Sequence, residues 1–413
     1  MGCTSSISKR YIFGMKKRLN IPEVVVFVPG MWVPSDVDLP KSLKGFLSQN
    51  LLERLSALRS QIMLIAEQTG GSALSELQRA LQEYIPLLRG LTKREYCLAE
   101  KVKFKWKHLG DDPQETCISS SYFELLSLVH MMAMLVLSEA NAMLIPKDSE
   151  VGEGRKVSED CRTGAIDLLL KASGCLEYCV SHLLTCLPPH TMARLPRDLQ
   201  EGVLKAISMQ ALGLAVEMQL GLAIQSQKAT LSVKRRLACE QVSYLEQAHY
   251  CLSGCISEGY GKKHILFLKW KYLEAKAAAY YYHGLVLDKG TDPSSHIAAV
   301  CCLLAAEEIL TDSKKGCLNY CLARPVTRSP PLWGIMKHVH QKIPEAASKK
   351  SEMCSYLFEQ DKVPPELPDL PDFPLSLKAD DYDLPEIDTL WDSEKIEPQV
   401  QTLKEHFHDE EEA

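Results

Sequence analysis

Three cysteines and one histidine are residue types that bind zinc and lie close together in the sequence: Cys175, Cys179, His182 and Cys186. Their spacings of three and four residues put all four side chains on one face of a predicted helix. The outer two are eleven residues apart, which is about 16 Å along a helix. One helix cannot wrap ligands spread over that length around a zinc ion whose ligand atoms sit about 2 Å away. The sequence therefore predicts no metal site here, and the pattern indicates a buried apolar stripe.

The first six residues, Met1 to Ser6, fit the signal for attachment of a fatty acid. Removal of the initiator methionine exposes Gly2, and Ser6 supplies the small hydroxyl residue that N-myristoylation requires. Cys3 is placed for palmitoylation. A single myristoyl chain gives only marginal membrane binding, so a second signal matters. The alternative is a chance match in a disordered N-terminus.

A basic cluster follows this signal and precedes the first acidic residue, Glu23. Each basic residue near an anionic cytoplasmic leaflet contributes about 1 kcal/mol to membrane binding. We therefore expect residues 1–20 to form a lipid-anchor segment that holds the protein at the cytoplasmic face of an endosomal or plasma membrane. The five residues of the cluster are Lys9, Arg10, Lys16, Lys17 and Arg18.

The sequence contains none of the motifs GxGxxG, GxxxxGK[ST], HExxH and GxSxG, which mark common cofactor, phosphate and catalytic sites. Fifteen cysteines without an apolar signal peptide favour a reducing compartment and free thiols. We expect a protein that is not an enzyme and needs no cofactor. A nucleophilic cysteine is the open alternative, and it would have a lowered thiol pKa.

The charge of the chain is divided unequally. Residues 361–413 hold 17 acidic and 4 basic residues, a net of −13, whereas residues 1–360 hold 36 acidic and 43 basic residues, a net of +7. The overall charge of −6 and the acidic tail argue against a nucleic-acid partner. Seven prolines between Pro364 and Pro398 predict that residues 374–413 are a disordered acidic tail, although Leu367, Leu370, Phe373 and Leu375 could hold its beginning to the body.

Apolar residues at spacings of three and four predict long helices from Leu43 onward. One of them, Gly261 to Lys289, is apolar on two faces, so it should be a central helix with neighbours on both sides. A helix is predicted over 72–108. The β-branched run Val24–Val28 predicts a strand that pairs with Met31–Pro34. Successive long helices favour an elongated helical array, and no repeat of fixed period is present.

Four short motifs, in this order and spacing, resemble the Bro domain of the family that includes Alix and Brox, with Brox the nearer. The resemblance runs from about Pro22 to about Phe373. It implies a mostly α, boomerang-shaped domain over residues 21–373 with a tetratricopeptide-like core and a small β-sheet near the N-terminus. The motifs are Phe104-Lys105-Trp106, Tyr122 to Ser127, Ala277 to Gly284 and Phe358 to Pro364.

The resemblance also implies non-enzymatic work in the ESCRT pathway, as an adaptor for the C-terminal amphipathic helix of an ESCRT-III subunit. The family's apolar docking patch carries over by position to Leu220, Val233 and Leu237, and a one-residue insertion leaves Gln219 or Leu220 open. Two features differ from the family. Brox ends in a prenylation signal, whereas this sequence ends at Ala413 without the terminal cysteine box of such a signal. Glu359 stands where a tyrosine occurs in Alix and Brox.

Helical geometry supports two of these three positions. The predicted core stripe of the helix from Ser232 includes Ala238, Val242 and Leu245, and Val233 and Leu237 lie about 100 to 140° away from it. Exposed apolar residues beside the basic run Lys234 to Arg236 suit an amphipathic helix with acidic edges. The alternative is that both residues pack against the adjacent helix. A second candidate function is a lipid-tethered helical scaffold for another partner, such as a small GTPase.

Overall fold

A three-stranded antiparallel sheet lies near the N-terminal end of the described chain. Strand β2 (Lys103–Leu109) is central and pairs with β1 (Met31–Pro34) and β3 (Glu115–Ser119). Phe104 and Trp106 point into the core while the alternating lysines face solvent, the pattern of a half-buried strand. The structure is a computed structural model that describes residues 21–109, 114–147, 157–254, 260–327, 331, 336–360 and 366–394.

Helices make up most of the described chain, which confirms the predicted mostly α fold with a small N-terminal sheet. Consecutive long helices pack side by side from α4 to α11, with the short α6 between α5 and α7. The helices are α1 (Leu39–Leu43), α2 (Gln49–Thr69), α3 (Leu74–Gly90), α4 (Ser121–Met143), α5 (Glu159–Tyr178), α6 (Pro189–Met192), α7 (Glu201–Gln225), α8 (Leu231–Ser253), α9 (Tyr260–Leu287), α10 (Pro293–Leu322) and α11 (Met336–Gln360).

Helix α9 is central, as its two apolar faces predicted. It packs against α8 on one side and α10 on the other, and Ala277 to Tyr282 are all buried. Small residues let the neighbours approach closely. A Cβ added at Gly284 would lie 3.0 Å from the carbonyl oxygen of Ala299, so the α9–α10 contact depends on glycine at this position.

Two predictions of secondary structure are wrong. Val24–Val28 is not a strand, because its backbone groups bond to side chains: Val26 N–H donates to Asn141 Oδ1 at 2.9 Å, and Phe27 C=O accepts from Gln210 Nε2 at 2.8 Å. The helix predicted over 72–108 ends at Gly90. The segment after it returns as β2, because its apolar residues alternate with lysines.

A buried carboxylate joins the sheet to the helices. Glu124 of α4 accepts from Arg59 Nε at 2.8 Å and from Trp106 Nε1 at 2.5 Å. Arg59 also donates to the carbonyl oxygen of Lys105 at 3.0 Å. Glu124 is fully buried and Arg59 nearly so, and a buried ion pair is stable only when such additional hydrogen bonds satisfy it. Two of the family motifs therefore meet in one structural network.

Residues 366–394, here called the C-terminal strap, lie along the helical body. Ser376 and Leu377 donate backbone N–H groups to the buried Glu240 of α8, at 2.6 and 3.0 Å. Asp380 N–H donates to the carbonyl oxygen of Leu170 in α5 at 3.2 Å. A Cβ at Gly174 would lie 2.1 Å from the Asp380 carbonyl oxygen, so the strap touches the α5 backbone itself.

The strap ends in a buried tryptophan. Trp391 is 1% exposed, stacks on Tyr96 and donates Nε1–H to the carbonyl oxygen of Leu87 at 2.8 Å. The expectation of disorder over 374–413 is therefore wrong for residues 374–394, because polar groups of the body bind the strap at intervals. Residues 395–413 lie outside the described part of the chain. Of the four apolar residues expected to hold the beginning of the tail, Leu370 and Phe373 pack against the core, whereas Leu367 and Leu375 are exposed.

A buried histidine should make the fold sensitive to acid. His264 lies 2.6 Å from Gln210 Oε1 through Nε2 and stacks on Phe27, and burial lowers its pKa to about 3. The unfolded chain binds this proton below a pH of about 6.5, whereas the native protein does not. Stability should therefore fall as the pH drops below 6.5, by about 2 kcal/mol at pH 5.

Urea unfolding at pH 7 and pH 5 measures this loss. A His264→Gln variant keeps a neutral polar group and should lose about 2 kcal/mol less than the wild type between the two pH values. An equal acid sensitivity of both proteins would contradict the assignment. Burial also lowers the pKa of His130, to about 4, so the variant should retain part of the acid response.

Candidate functional site

The hairpin of α7 and α8 presents two of the three predicted docking residues at its surface. Val233 is 46% exposed and lies in the first turn of α8, where Thr230 Oγ1 accepts from its N–H and caps the helix. Leu237 is half-buried one turn later and packs against the buried cluster Leu212, Val216 and Tyr244. The Val233 side chain is therefore open to a partner, while the Leu237 side chain is partly exposed and partly packed against the core.

Leu220 does not lie at this surface, which corrects the sequence-based assignment. It is fully buried in the main core. Helix α7 packs against α5 as well as α8, so it is enclosed on more than one side. Its sequence has no distinct polar face, so the sequence does not show which side of the helix faces solvent. Gln219 is partly exposed and is the better match to the third position that the insertion left open.

The basic residues beside Val233 differ in what they contact. Arg236 is exposed, whereas Lys234 and Arg235 are half-buried. The Arg235 guanidinium lies 5.7 Å from the ring centroid of Phe373 in the strap, and its nitrogen lies 3.5 Å from His283 Nδ1. Burial, together with the charge of Arg235, lowers the pKa of His283. Of the three charges, that of Arg236 is the one most open to an acidic partner.

The strap crosses the same face of α8. Leu377 packs against the cluster of Leu212, Val216 and Tyr244 that also supports Leu237. The Tyr244 hydroxyl donates to the Leu377 carbonyl oxygen, and burial raises the pKa of Tyr244 to about 12, with Glu240 adding to the rise. The phenol therefore stays protonated as a donor. The strap thus lies next to the exposed patch of Val233 and Leu237, toward the C-terminal end of α8.

A cavity of about 730 Å³ lies beyond the strap, where α5, α7 and α8 meet. Cys251 in its wall is 18 residues from Val233, which is five helical turns, so both lie on one face of α8. Tyr250 at its edge is 80% exposed. Burial raises the pKa of Glu177 in this wall. The lining residues include Leu176, Glu177, Val180, Met209, Tyr250 and Cys251.

Sequence reasoning missed this cavity, although one signal was present. Tyr250 and Cys251 lie off the core stripe of α8, as Val233 and Leu237 do. Much of the wall comes from α7, from the end of α5 and from the residues that follow it. A single sequence does not show which residues of these segments meet. Only the relative placement of the three helices reveals the site.

The described cysteines with a perturbed pKa do not resemble nucleophiles. Burial raises the pKa of Cys175 and Cys302 to about 12 and that of Cys239 to about 11. Such thiols remain protonated and unreactive near neutral pH. Along the proposed apolar stripe, which runs past the end of α5, Cys175 and Cys179 are buried as expected, whereas His182 and Cys186 are exposed.

Several predicted residues lie outside the described part of the chain. These are Gly2, Cys3, and the basic residues Lys9, Arg10, Lys16, Lys17 and Arg18. The motif Phe358 to Pro364 also lies there, apart from the helical backbone that ends at Gln360.

Comparisons with known proteins agree with this architecture. The chain is similar to a crystal structure of ALIX in complex with the SIVmac239 PYKEVTEDL late domain (TM-score 0.65, 18% identity, 91% of this chain and 52% of that chain). It thus spans about half the length of that ALIX chain. It is also similar to a Bro1 domain described with the structural basis of endosomal targeting (TM-score 0.60, 16% identity, 90% and 95% coverage).

A third similar structure is a complex of the ALIX BRO1 domain with CHMP4C (TM-score 0.62, 17% identity, 87% and 96% coverage). At these identities the likeness shows the fold alone. No curated protein sequence matches the chain. The model of the BRO1-like domain matches residues 36–366, which is most of the sequence, and the chain therefore belongs to the BRO1-like domain family.

Proposed function

We propose that this protein is a membrane-anchored, non-enzymatic adaptor that binds the C-terminal amphipathic helix of an ESCRT-III subunit. The observation that carries the proposal is the exposed Val233 beside Leu237 on α8, with Arg236 next to them. Apolar anchors beside a cation suit the apolar face and acidic edge of such a helix. The similar ALIX BRO1 domain in complex with CHMP4C supports this class of partner.

The length of the patch defines how the partner helix would lie. Val233 and Leu237 are four residues apart, about 6 Å along α8, whereas helix anchors at i, i+4 and i+7 span about 10 Å. The partner helix therefore needs a further contact. Along α8 the next turns are covered by Ser376 and Leu377 of the strap, so the strap would form one wall of the docking site.

A binding titration tests this part of the proposal. A labelled peptide with the sequence of an ESCRT-III C-terminal helix is titrated with the full chain and followed by fluorescence anisotropy. We expect a micromolar Kd, which corresponds to about 8 kcal/mol. A peptide whose apolar residues are replaced by aspartate should not bind. Equal binding of both peptides, or of neither, would count against the proposed docking mode.

Residues 1–20 would supply the membrane anchor, with Gly2 myristoylated, Cys3 palmitoylated and the five basic residues at an anionic leaflet. The first described residues, Ile21 and Pro22, precede Glu23, whose N–H donates to the Leu144 carbonyl oxygen at 2.7 Å. The anchored protein would act at the cytoplasmic face of an endosomal or plasma membrane. Such an anchor places the docking face near membrane-bound polymers and so raises the local concentration of the partner.

Replacing Gly2 with alanine should remove the myristoyl group and move most of the protein from the membrane to the soluble fraction. Mass spectrometry of the N-terminus from a eukaryotic host checks the modification, and fractionation checks the distribution. Gly2→Ala should leave the affinity for the helix peptide in solution unchanged. An unmodified Gly2 in the wild type would contradict the anchor without affecting the docking proposal.

A further inference from the structure

Helix α10 keeps much of its apolar surface unburied. Three helices in the described chain are long and apolar enough to cross a membrane by length and composition alone: α4, α7 and α10. The most apolar window is 89% buried in α4 and 72% buried in α7, but only 33% buried in α10. The core therefore accounts for the apolar character of α4 and α7. The window in α10 holds at most two charged residues and so ends before Asp312. The exposed residues at the C-terminal end of α10 lie outside this window and are a separate observation.

The exposed apolar residues of α10 are concentrated at its C-terminal end. Leu318 and Leu322 are 58% and 65% exposed and lie one turn apart on one face. Val326, in the loop that follows, is 56% exposed. Thr327 N–H donates to the Cys321 carbonyl oxygen at 3.0 Å, which folds this loop back against the last turn. The three side chains therefore belong to one surface, here called the α10 tip.

A buried lysine fixes the shape of the α10 tip. Lys263 is 4% exposed and donates from Nζ to Thr327 Oγ1 at 2.7 Å and to the Pro325 carbonyl oxygen. Its ammonium group also lies 4.8 Å from the ring centroid of Tyr320. The loop that carries Val326 is thus held at both its backbone and a side chain. The exposed apolar residues are therefore held in place by these hydrogen bonds and do not belong to a frayed helix end.

Exposed basic residues lie close in sequence to the α10 tip or to Lys263, which holds it. Lys262, Lys314, Lys315 and Arg324 are exposed, and Lys315 pairs with Asp312 at 2.9 Å, so three of the four cations are not matched by that carboxylate. Leucine and valine that extend from a helix end, with lysine and arginine around them, match the chemistry of an anionic bilayer surface. The apolar side chains enter the acyl boundary and the cations meet the lipid phosphates and carboxylates.

The start of the described chain lies within reach of the same surface. The rings of Phe27 and Tyr320 are 6.3 Å apart, and Ile21 is six residues before Phe27, so Ile21 lies at most about 20 Å along the chain from Phe27. The twenty preceding residues could extend up to about 66 Å. A lipid at Gly2 and the α10 tip can therefore meet one bilayer.

We propose that the α10 tip is a membrane-contact surface that inserts Leu318, Leu322 and Val326 into an anionic bilayer. This inference goes beyond helix docking and does not depend on it, since the two surfaces lie on different helices. It assigns a role to the helical body at the membrane, in addition to the anchor of residues 1–20. Two contacts, one through the anchor and one through the α10 tip, would fix the orientation of the body on the bilayer.

The test uses the full chain from a bacterial host, where residues 1–20 are not acylated, and vesicles of phosphatidylcholine mixed with phosphatidylserine. In co-sedimentation, Leu318→Asp/Leu322→Asp should bind roughly ten-fold more weakly than the wild type, because the buried apolar area is lost and two charges must be desolvated. Lys314→Glu/Arg324→Glu should also weaken binding and reduce its dependence on salt. Both variants replace exposed residues, and circular dichroism verifies that they fold.

Leu304→Asp is the matched control. Leu304 lies on α10, is 42% exposed and is about 21 Å from Leu318, so its substitution should leave vesicle binding unchanged. Equal vesicle binding by the wild type and the double leucine variant would overturn the proposal. So would equal binding of the wild type to pure phosphatidylcholine. A wild-type dimer that the double variant dissociates, with vesicle binding unchanged, would show instead that the α10 tip contacts a second copy.

Discussion

Replacing Leu237 with aspartate should weaken binding of the ESCRT-III helix peptide by a factor of at least about ten while leaving the protein folded. A buried leucine at the centre of a small interface contributes about 2 to 3 kcal/mol, and each 1.4 kcal/mol is ten-fold in affinity. Leu237 is placed for this role because it is half-buried against Leu212, Val216 and Tyr244. The charge would also have to be desolvated under the partner.

Two further variants make the result interpretable. Val233→Asp changes a residue that is 46% exposed, so it should weaken binding with little effect on folding. Met353→Asp on α11 changes a residue that is 59% exposed and should leave the affinity unchanged. If Leu237→Asp and Val233→Asp both bind as the wild type does, with unchanged melting temperatures, the docking site lies elsewhere on the molecule.

Replacing Trp391 with alanine should lower the free energy of unfolding by about 3 to 5 kcal/mol, the usual loss for a large aromatic residue in a core. Trp391 loses its stacking on Tyr96 and its hydrogen bond to the Leu87 carbonyl oxygen. The end of the strap should also become open to solvent, because its other contacts in this region come from exposed or half-buried residues such as Arg89 and Glu394.

Urea unfolding measures the stability, and hydrogen exchange of residues 376–391 measures release of the strap. Asp392→Ala is the control, since Asp392 is adjacent and exposed. Gly90→Ala offers a second check, because its Cβ would lie 1.8 Å from Trp391. It should destabilise the wild type but add little to Trp391→Ala, since the two act on one contact. Full additivity of the two substitutions would show that Trp391 does not occupy this position.

The parts of the fold that follow from local pattern could be predicted from the sequence. The two apolar faces of α9 require neighbours on both sides, and α8 and α10 supply them. Val233 and Leu237 lie off the core stripe of α8, and both remain at least partly exposed. In both helices the arrangement of apolar and polar residues around the axis carries the information.

The remaining features depend on contacts between distant segments. Leu220 was misplaced because its position was carried over from the family across a one-residue insertion. The weak periodicity of the mostly apolar α7 does not show whether Gln219 or Leu220 faces outward. The strap has the composition of a disordered segment, yet its order comes from single partners such as Glu240 and the Leu87 carbonyl oxygen. A run such as Val24–Val28 has strand propensity, but side chains of Asn141 and Gln210 satisfy its backbone instead.

The strap has a consequence for how the protein is made. Trp391 bonds to Leu87 across 304 positions of sequence, and Ser376 bonds to Glu240 across 136. During synthesis α3, α5 and α8 leave the ribosome long before the residues that complete them. Closing such long loops is slow relative to forming helices. A nascent chain released before residue 391 would leave the tryptophan site empty, and one released before residue 376 would also leave Glu240 unbonded. Such exposed sites are the kind of surface on which chaperones and proteases act.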